Sequence, residues 1–125
     1  MKIINTDKAP AAIGPYNQAV EKNGMVYLSG QIPINPSTGE IVQGGIEEQS
    51  KQVFENIKAV LNEAQLSASD IIKTTCFLTD LSQFQQFNAV YATVFEEGKE
   101  PARSTVEVSA LPKGVMVEVE VIAVR

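Results

Sequence analysis

Arg103 is the only guanidinium inside this sequence; the one other arginine, Arg125, is its last residue, and the remaining eight basic side chains are lysines. A planar guanidinium grips a carboxylate or phosphate through two parallel bonds, which a lysine cannot reproduce. The second group of note is a pair of carboxylates, Glu118 and Glu120, two residues apart in a run of alternating valines. On a strand they share a face, about 7 Å apart. A glutamate set among Met116 and Ile122 is a candidate desolvated general base. Paired carboxylates also serve glycosidases and metal sites, but no Asp-rich cluster accompanies them and no metal is expected.

What is missing narrows the chemistry further. The 125 residues contain no His and a single Cys, Cys76. Imidazole-activated serine or cysteine nucleophiles are excluded, as are His/Cys zinc sites and an intrachain disulfide. Ser29 therefore has no base to make it a hydrolase nucleophile. Cys76, in a strand-like run of Thr, Phe and Leu, reads as a small core hydrophobe. Glycine loops of the G-x-G-x-x-G or Walker type do not occur. Proton transfer is left to Glu, Asp, Lys, Tyr or water.

The elements that must position these groups follow from turn signals and periodicity. Asn23-Gly24 between the runs 17–21 and 25–31 predicts a hairpin. Ser29-Gly30 falls near the end of the second run, where glycine marks close backbone approach. Residues 35–39 read as a turn into a short extended piece at 40–42. Gly44-Gly45 then breaks the chain before an amphipathic helix over 46–65, with Ile46, Val53, Ile57, Val60, Leu61 and Ala64 on its apolar side. A strand over 71–78 precedes a second helix, opened by Asp80 or by a Ser82-x-x-Gln85 capping box and ended by Gly98. Its stripe is Phe84, Phe87, Tyr91, Val94 and Phe95.

Strands over 102–108 and 115–124 complete the chain. The period of two places Arg103, Thr105 and Glu107 on one face of the first. Arg103 is there either half of a surface ion pair, to Glu107 or Glu120, or an anion clamp. In the last strand, residues 115, 117, 119, 121 and 123 are all small and apolar and read as buried beneath the helices. The alternate face, Met116, Glu118, Glu120, Ile122 and Val124, is both apolar and acidic, and is expected to be covered in an oligomer. Tyr16, after Gly14-Pro15, is either a tyrosine packed beside a turn or a pocket residue.

The whole is one α+β domain spanning 1–125: a mixed six-stranded sheet with two helices on one face. Net charge is −5 and the pI about 4.7, a poor basis for binding nucleic acid. No leader-like start and no apolar run long enough to span a membrane occur, so a cytoplasmic protein is expected.

Three blocks of sequence resemble the RidA/YjgF family: Ala9-Pro10-Ala11-Ala12-Ile13-Gly14-Pro15-Tyr16, then Ser29-Gly30-Gln31-Ile32-Pro33, then Pro101 to Val108 with Leu111-Pro112-Lys113-Gly114 and Val117 to Ala123. The resemblance runs over essentially the whole chain. It implies a chorismate-mutase-like fold and a homotrimer whose sheets form a central β-barrel, with active sites in clefts between subunits. It implies hydrolysis of 2-imino acids or their enamine tautomers, such as 2-iminobutanoate and 2-iminopropanoate, to 2-oxo acids and ammonia, with no cofactor. On this resemblance Arg103 holds the substrate carboxylate and Glu118 activates water. Tyr16, Ser29, Gly30 and Asn88 line the pocket. Thr105 stands where many deaminating members have Cys; acting through its carbonyl it would serve equally. The competing readings are a non-catalytic trimer that binds 2-oxo acids, and the ribonuclease or translation-inhibitor activity attributed to some relatives.

Overall fold

The computed structural model describes residues 1–125. Six strands form one sheet: β1 (Lys2–Ile4), β2 (Ala19–Lys22), β3 (Met25–Gln31), β6 (Ile71–Leu78), β7 (Ala102–Glu107) and β8 (Val117–Val124). Their order across the sheet is β1-β2-β3-β8-β6-β7, all antiparallel except the β6–β7 pair. Two-residue strands β4 (Ile34–Asn35) and β5 (Glu40–Ile41) make a small separate hairpin. Helices α1 (Ile46–Glu63) and α2 (Phe84–Val94) complete the α+β fold. No helix is long and apolar enough to cross a membrane.

Local sequence explains most of these elements. Asn23 and Gly24 both take positive φ, 53° and 78°, the paired left-handed geometry of a two-residue hairpin turn. Gly44, at φ 117°, turns the chain into α1, and Glu48 Oε1 accepts the Gly45 N–H at 2.9 Å. Parallel pairing of β6 with β7 needs a crossover, which α2 supplies. The stripe Val115, Val117, Val119, Val121 and Ala123 is at most 2% exposed. Val117, Val119, Val121 and Ala123 share one core cluster with Phe54, Ile57 and Leu61 of α1 and Phe87 of α2.

Three expectations need correction. β1 pairs with β2 and was not foreseen, because a three-residue strand carries no periodicity of its own. The Ser82 capping box does not form: residues Leu81–Gln83 make a 3-10 turn capped by Asp80, whose Oδ1 accepts the Ser82 N–H at 2.9 Å. A carboxylate two residues earlier takes the donor that the box needed. Finally, α2 stops at Val94, well before Gly98, because Phe95 is already extended (φ −118°, ψ 152°). Its ring still stacks on Tyr91, 4.9 Å away, so burial outlasts the helix.

Candidate active site: two half-sites on opposite faces of the sheet

The first half-site lies where edge strand β7 meets α2. Arg103 Nη1 donates to Asn88 Oδ1 at 2.7 Å. Its guanidinium carbon sits 4.5 Å from the centre of the Tyr91 ring and 5.3 Å from that of Phe84. Residues 84, 88 and 91 are spaced to share one face of a helix, so α2 presents two aromatic faces and one amide acceptor to one guanidinium. No carboxylate pairs with Arg103. Arg125, by contrast, is committed: Nε and Nη2 donate to the two oxygens of Glu21 at 3.0 and 2.9 Å. Of the two guanidiniums, only Arg103 keeps an edge for a ligand. The ion pair to Glu107 or Glu120 does not form, because Glu107 accepts the Leu81 N–H instead and Glu120 is on the far face.

Thr105 follows on the same face of β7, and its Oγ1 is buried without a hydrogen-bond partner. Beside it in register is Cys76, fully buried, its thiol pushed up to about 11 mainly by burial. A thiol so protonated is an inert packing group, as the sequence suggested.

The second half-site lies at the end of β3. The β3–β8 register slips between Leu28 and Gln31, and at the slip Gly30 lies against the Glu118 carboxylate. A Cβ on Gly30 would fall on Glu118 Oε2 and come within 2.8 Å of Cδ. Glycine is required here by contact rather than by φ. Glu118 is half-buried, and burial raises its carboxyl above the ordinary value, with the neighbouring Glu120 charge adding to the effect. A cavity of about 260 Å³ opens beside Gly30, lined by Ile13, Tyr16, Ile32, Pro36 and Lys113 among others. Tyr16 is half exposed; its hydroxyl accepts the Ile13 N–H at 3.3 Å. The Ser29 hydroxyl donates to the Asn17 carbonyl at 2.6 Å and ties the Tyr16 loop to β3.

Two buried polar side chains support this half-site. Gln18, 2% exposed, accepts from the Thr6 N–H and donates to the Thr6 and Pro10 carbonyls, clasping the chain ahead of Tyr16. Asn56, on α1, donates to the Ile32 and Ile34 carbonyls at 3.1 and 2.9 Å. Both are polar side chains at buried positions, and a polar residue on an otherwise apolar face is the signal that could have found them.

The two half-sites do not meet within one chain. Arg103 is level with Thr74, which is buried under α2; Glu118 is level with Phe77 and Val106, on the opposite face. That opposite face has no covering element and carries exposed Ile3, Tyr27 and Val106.

Because the atoms a Gly30 side chain would meet are the tip of a flexible glutamate, Gly30→Ala should displace the carboxylate rather than unfold the chain. The expected result is a protein that is well folded by circular dichroism and whose Glu118 carboxylate a crystal structure finds moved away from position 30; an unfolded variant would show that the contact is rigid.

The comparisons with known proteins agree with this architecture. A family model described as endoribonuclease L-PSP matches residues 6–125. A RutC family protein of Pyrococcus abyssi is 52% identical over 124 residues, covering 99% of this chain and 97% of its own. The crystal structure of RidA from an Antarctic Psychrobacter superposes with a TM-score of 0.95 at 46% identity, covering 100% of both chains. That of E. coli TdcF with bound serine gives 0.94 at 50% identity, covering 100% of this chain and 99% of its own. With likeness running the full length of both sequence and fold, the chain belongs to the RidA/YjgF family.

Proposed function

We propose that this protein hydrolyses small 2-imino acids and their enamine tautomers to 2-oxo acids and ammonia, at sites shared between neighbouring subunits of a homotrimer. The observation that carries the reading is the free edge of Arg103: a guanidinium lying over aromatic rings, with no carboxylate of its own. A 2-imino acid has a carboxylate directly attached to its C=N carbon. Gripping the carboxylate therefore fixes the carbon to be attacked.

Water adds to the imine carbon while Glu118 takes one of the water's protons and passes it to the nitrogen, giving the neutral carbinolamine. Glu118 then takes the remaining hydroxyl proton and delivers it to the nitrogen as the C–N bond breaks, so that ammonia leaves and the oxygen becomes the carbonyl of the 2-oxo acid. Imines hydrolyse unaided in water, so one clamp and one base suffice; a positioned base contributes about 10²–10⁴ in rate. Glu118 is suited to the task because burial raises its carboxyl, which makes its ionised form more basic. In this account Tyr16, Gly30 and Ser29 wall the water side, while Asn88 and Thr105 wall the carboxylate side.

The homotrimer is part of the proposal. Arg103 and Glu118 lie on opposite faces of the sheet, so a complete site needs two chains. The uncovered face, with Tyr27 and Val106 over 40% exposed, is the surface to join them. Serine bound to the relative TdcF is consistent with a small ligand bearing a carboxylate.

The test is to supply freshly generated 2-iminobutanoate from a pyridoxal-phosphate dehydratase and follow 2-oxobutanoate release with and without this protein. Acceleration supports the deaminase. Binding of 2-oxobutanoate without acceleration assigns a metabolite-binding trimer instead. RNA cleavage that survives in Arg103→Ala and Glu118→Gln protein belongs to another site.

The acid limb of the pH profile supplies a further check. Activity requires ionised Glu118 and is lost as pH falls through its raised pKa. The nearby Glu120 charge opposes that ionisation. Glu120→Gln removes the opposition, so the acid limb should move to lower pH, as read from kcat/KM against pH. A move to higher pH, or none, separates the limb from Glu118.

A further inference from the structure

The arginine that the proposed reaction depends on sits on an edge strand, with a long side chain that has many rotamers. Something must hold it in one of them. Asn88 fixes a single nitrogen, Nη1. The plane of the guanidinium needs a second constraint, and Tyr91 is placed to give it. Its ring lies 4.5 Å from the guanidinium carbon, nearer than Phe84 at 5.3 Å. The ring is itself immobilised. Tyr91 is 6% exposed, stacked edge-on against Phe54 at 5.7 Å and tilted against Phe95 at 4.9 Å.

The Tyr91 hydroxyl shares a buried 2.7 Å hydrogen bond with Thr74 Oγ1. Thr74 is the residue level with Arg103 on the adjacent parallel strand. The contacts thus close a ring: Arg103 to Thr74 through the strand register, Thr74 to Tyr91 through the hydroxyls, and Tyr91 back to Arg103 through the π-face.

We propose that Tyr91 is a positioning residue of this site, its Thr74-anchored ring serving as the platform that presets the Arg103 guanidinium for a small carboxylate. The inference rests on the reading of Arg103 as the carboxylate clamp. It goes beyond that reading by assigning a role to a side chain that sequence places merely in the core stripe of a helix. A cation over an aromatic face shielded from water is held most firmly, and presetting the fork lowers the entropy lost when the carboxylate arrives. Tyr91 presets the fork before the carboxylate arrives and does not touch the reacting carbon; once bound, the carboxylate itself holds the fork, so loss of the platform raises KM and leaves kcat nearly unchanged.

The experiment compares Tyr91→Leu with Tyr91→Phe in the intact protein. Three quantities are measured: Kd for 2-oxobutanoate by calorimetry, KM and kcat for the imino acid, and Tm. Tyr91→Leu keeps an apolar filler but removes the ring; Kd and KM should rise about tenfold with kcat within about twofold. Tyr91→Phe keeps the ring and orphans the Thr74 hydroxyl, so Tm should drop while Kd stays within about threefold of the parent. Stability and affinity then part company across the two variants, which a merely structural role would not produce. The inference is overturned if Kd follows Tm in both variants, or if Tyr91→Leu binds as the parent does. Arg103→Ala is the control for the reading beneath it. If that variant also binds 2-oxobutanoate normally, the clamp itself is wrong; if it alone loses binding, only the role of Tyr91 falls.

Discussion

Arg103→Ala should lower kcat/KM for 2-imino acids by about 10²–10⁴, and should weaken 2-oxobutanoate binding by a similar factor. Two charge-assisted hydrogen bonds to a carboxylate contribute about 1.5–3 kcal/mol each, and a small ligand offers little other surface for recognition. The fold should tolerate the change. Arg103 makes one side-chain hydrogen bond, to Asn88, and its strand is paired on one side only, to β6. Its loss frees Asn88 to bond water at a half-buried position. Tm should therefore change little while turnover collapses, and a parallel fall in both would recast Arg103 as a structural group. Arg103→Lys is the sharper variant: it keeps the charge and loses the fork. If a point charge were enough, Lys would restore the parent rate; if the planar fork sets the imine carbon, it would not.

How far the sequence revealed this site depends on what kind of information each residue carries. The β6 strand was readable residue for residue, Ile71–Leu78, because a run rich in Ile, Thr and Phe between polar turns admits no other element. The shared face of Arg103 and Thr105 followed from the period of two alone. The buried stripe of β8 was equally plain. Other features live in tertiary pairing and leave no local mark. β1 exists because β2 offers it an edge. Phe54 and Val90, each 5% exposed or less, fall outside the strictest helical spacing because the apolar faces are wider than it. Asn56 stands out as polar among the apolar positions of α1, but the loop carbonyls that it and Gln18 hold are visible only in the fold. That Arg103 and Glu118 face opposite ways is likewise invisible in the sequence. Each strand's alternation was legible, but relating the two required the register of β6 against both neighbours. That register, with the two side chains on opposite faces of one sheet, is what supports the proposal of a site shared between chains.

Glu118→Gln should lower kcat by about 10²–10³ while leaving 2-oxobutanoate binding near that of the parent, because the amide keeps the shape and loses only the base. It should also be at least as stable as the parent near neutral pH. The sign follows from the direction of the shift. The Glu118 carboxyl is raised in the folded chain, first by burial and then by Glu120. Between the ordinary carboxylate pKa and the raised one, the folded state binds more protons than the unfolded state, so stability declines as pH rises through that window. At neutral pH the folded chain holds an ionised, half-buried glutamate that it would be more stable without. A neutral amide removes that cost. Loss of catalysis with Tm unchanged or higher marks a group kept for chemistry; a drop in Tm would show that the carboxylate is held by favourable bonds. Mixing the two inactive variants carries the argument to the assembly. Refolded together, Arg103→Ala and Glu118→Gln chains would rebuild some sites from one intact Glu118 and one intact Arg103 in different subunits. Partial recovery of activity is the expected result, and its absence in verified mixed trimers would overturn the proposed site shared between subunits.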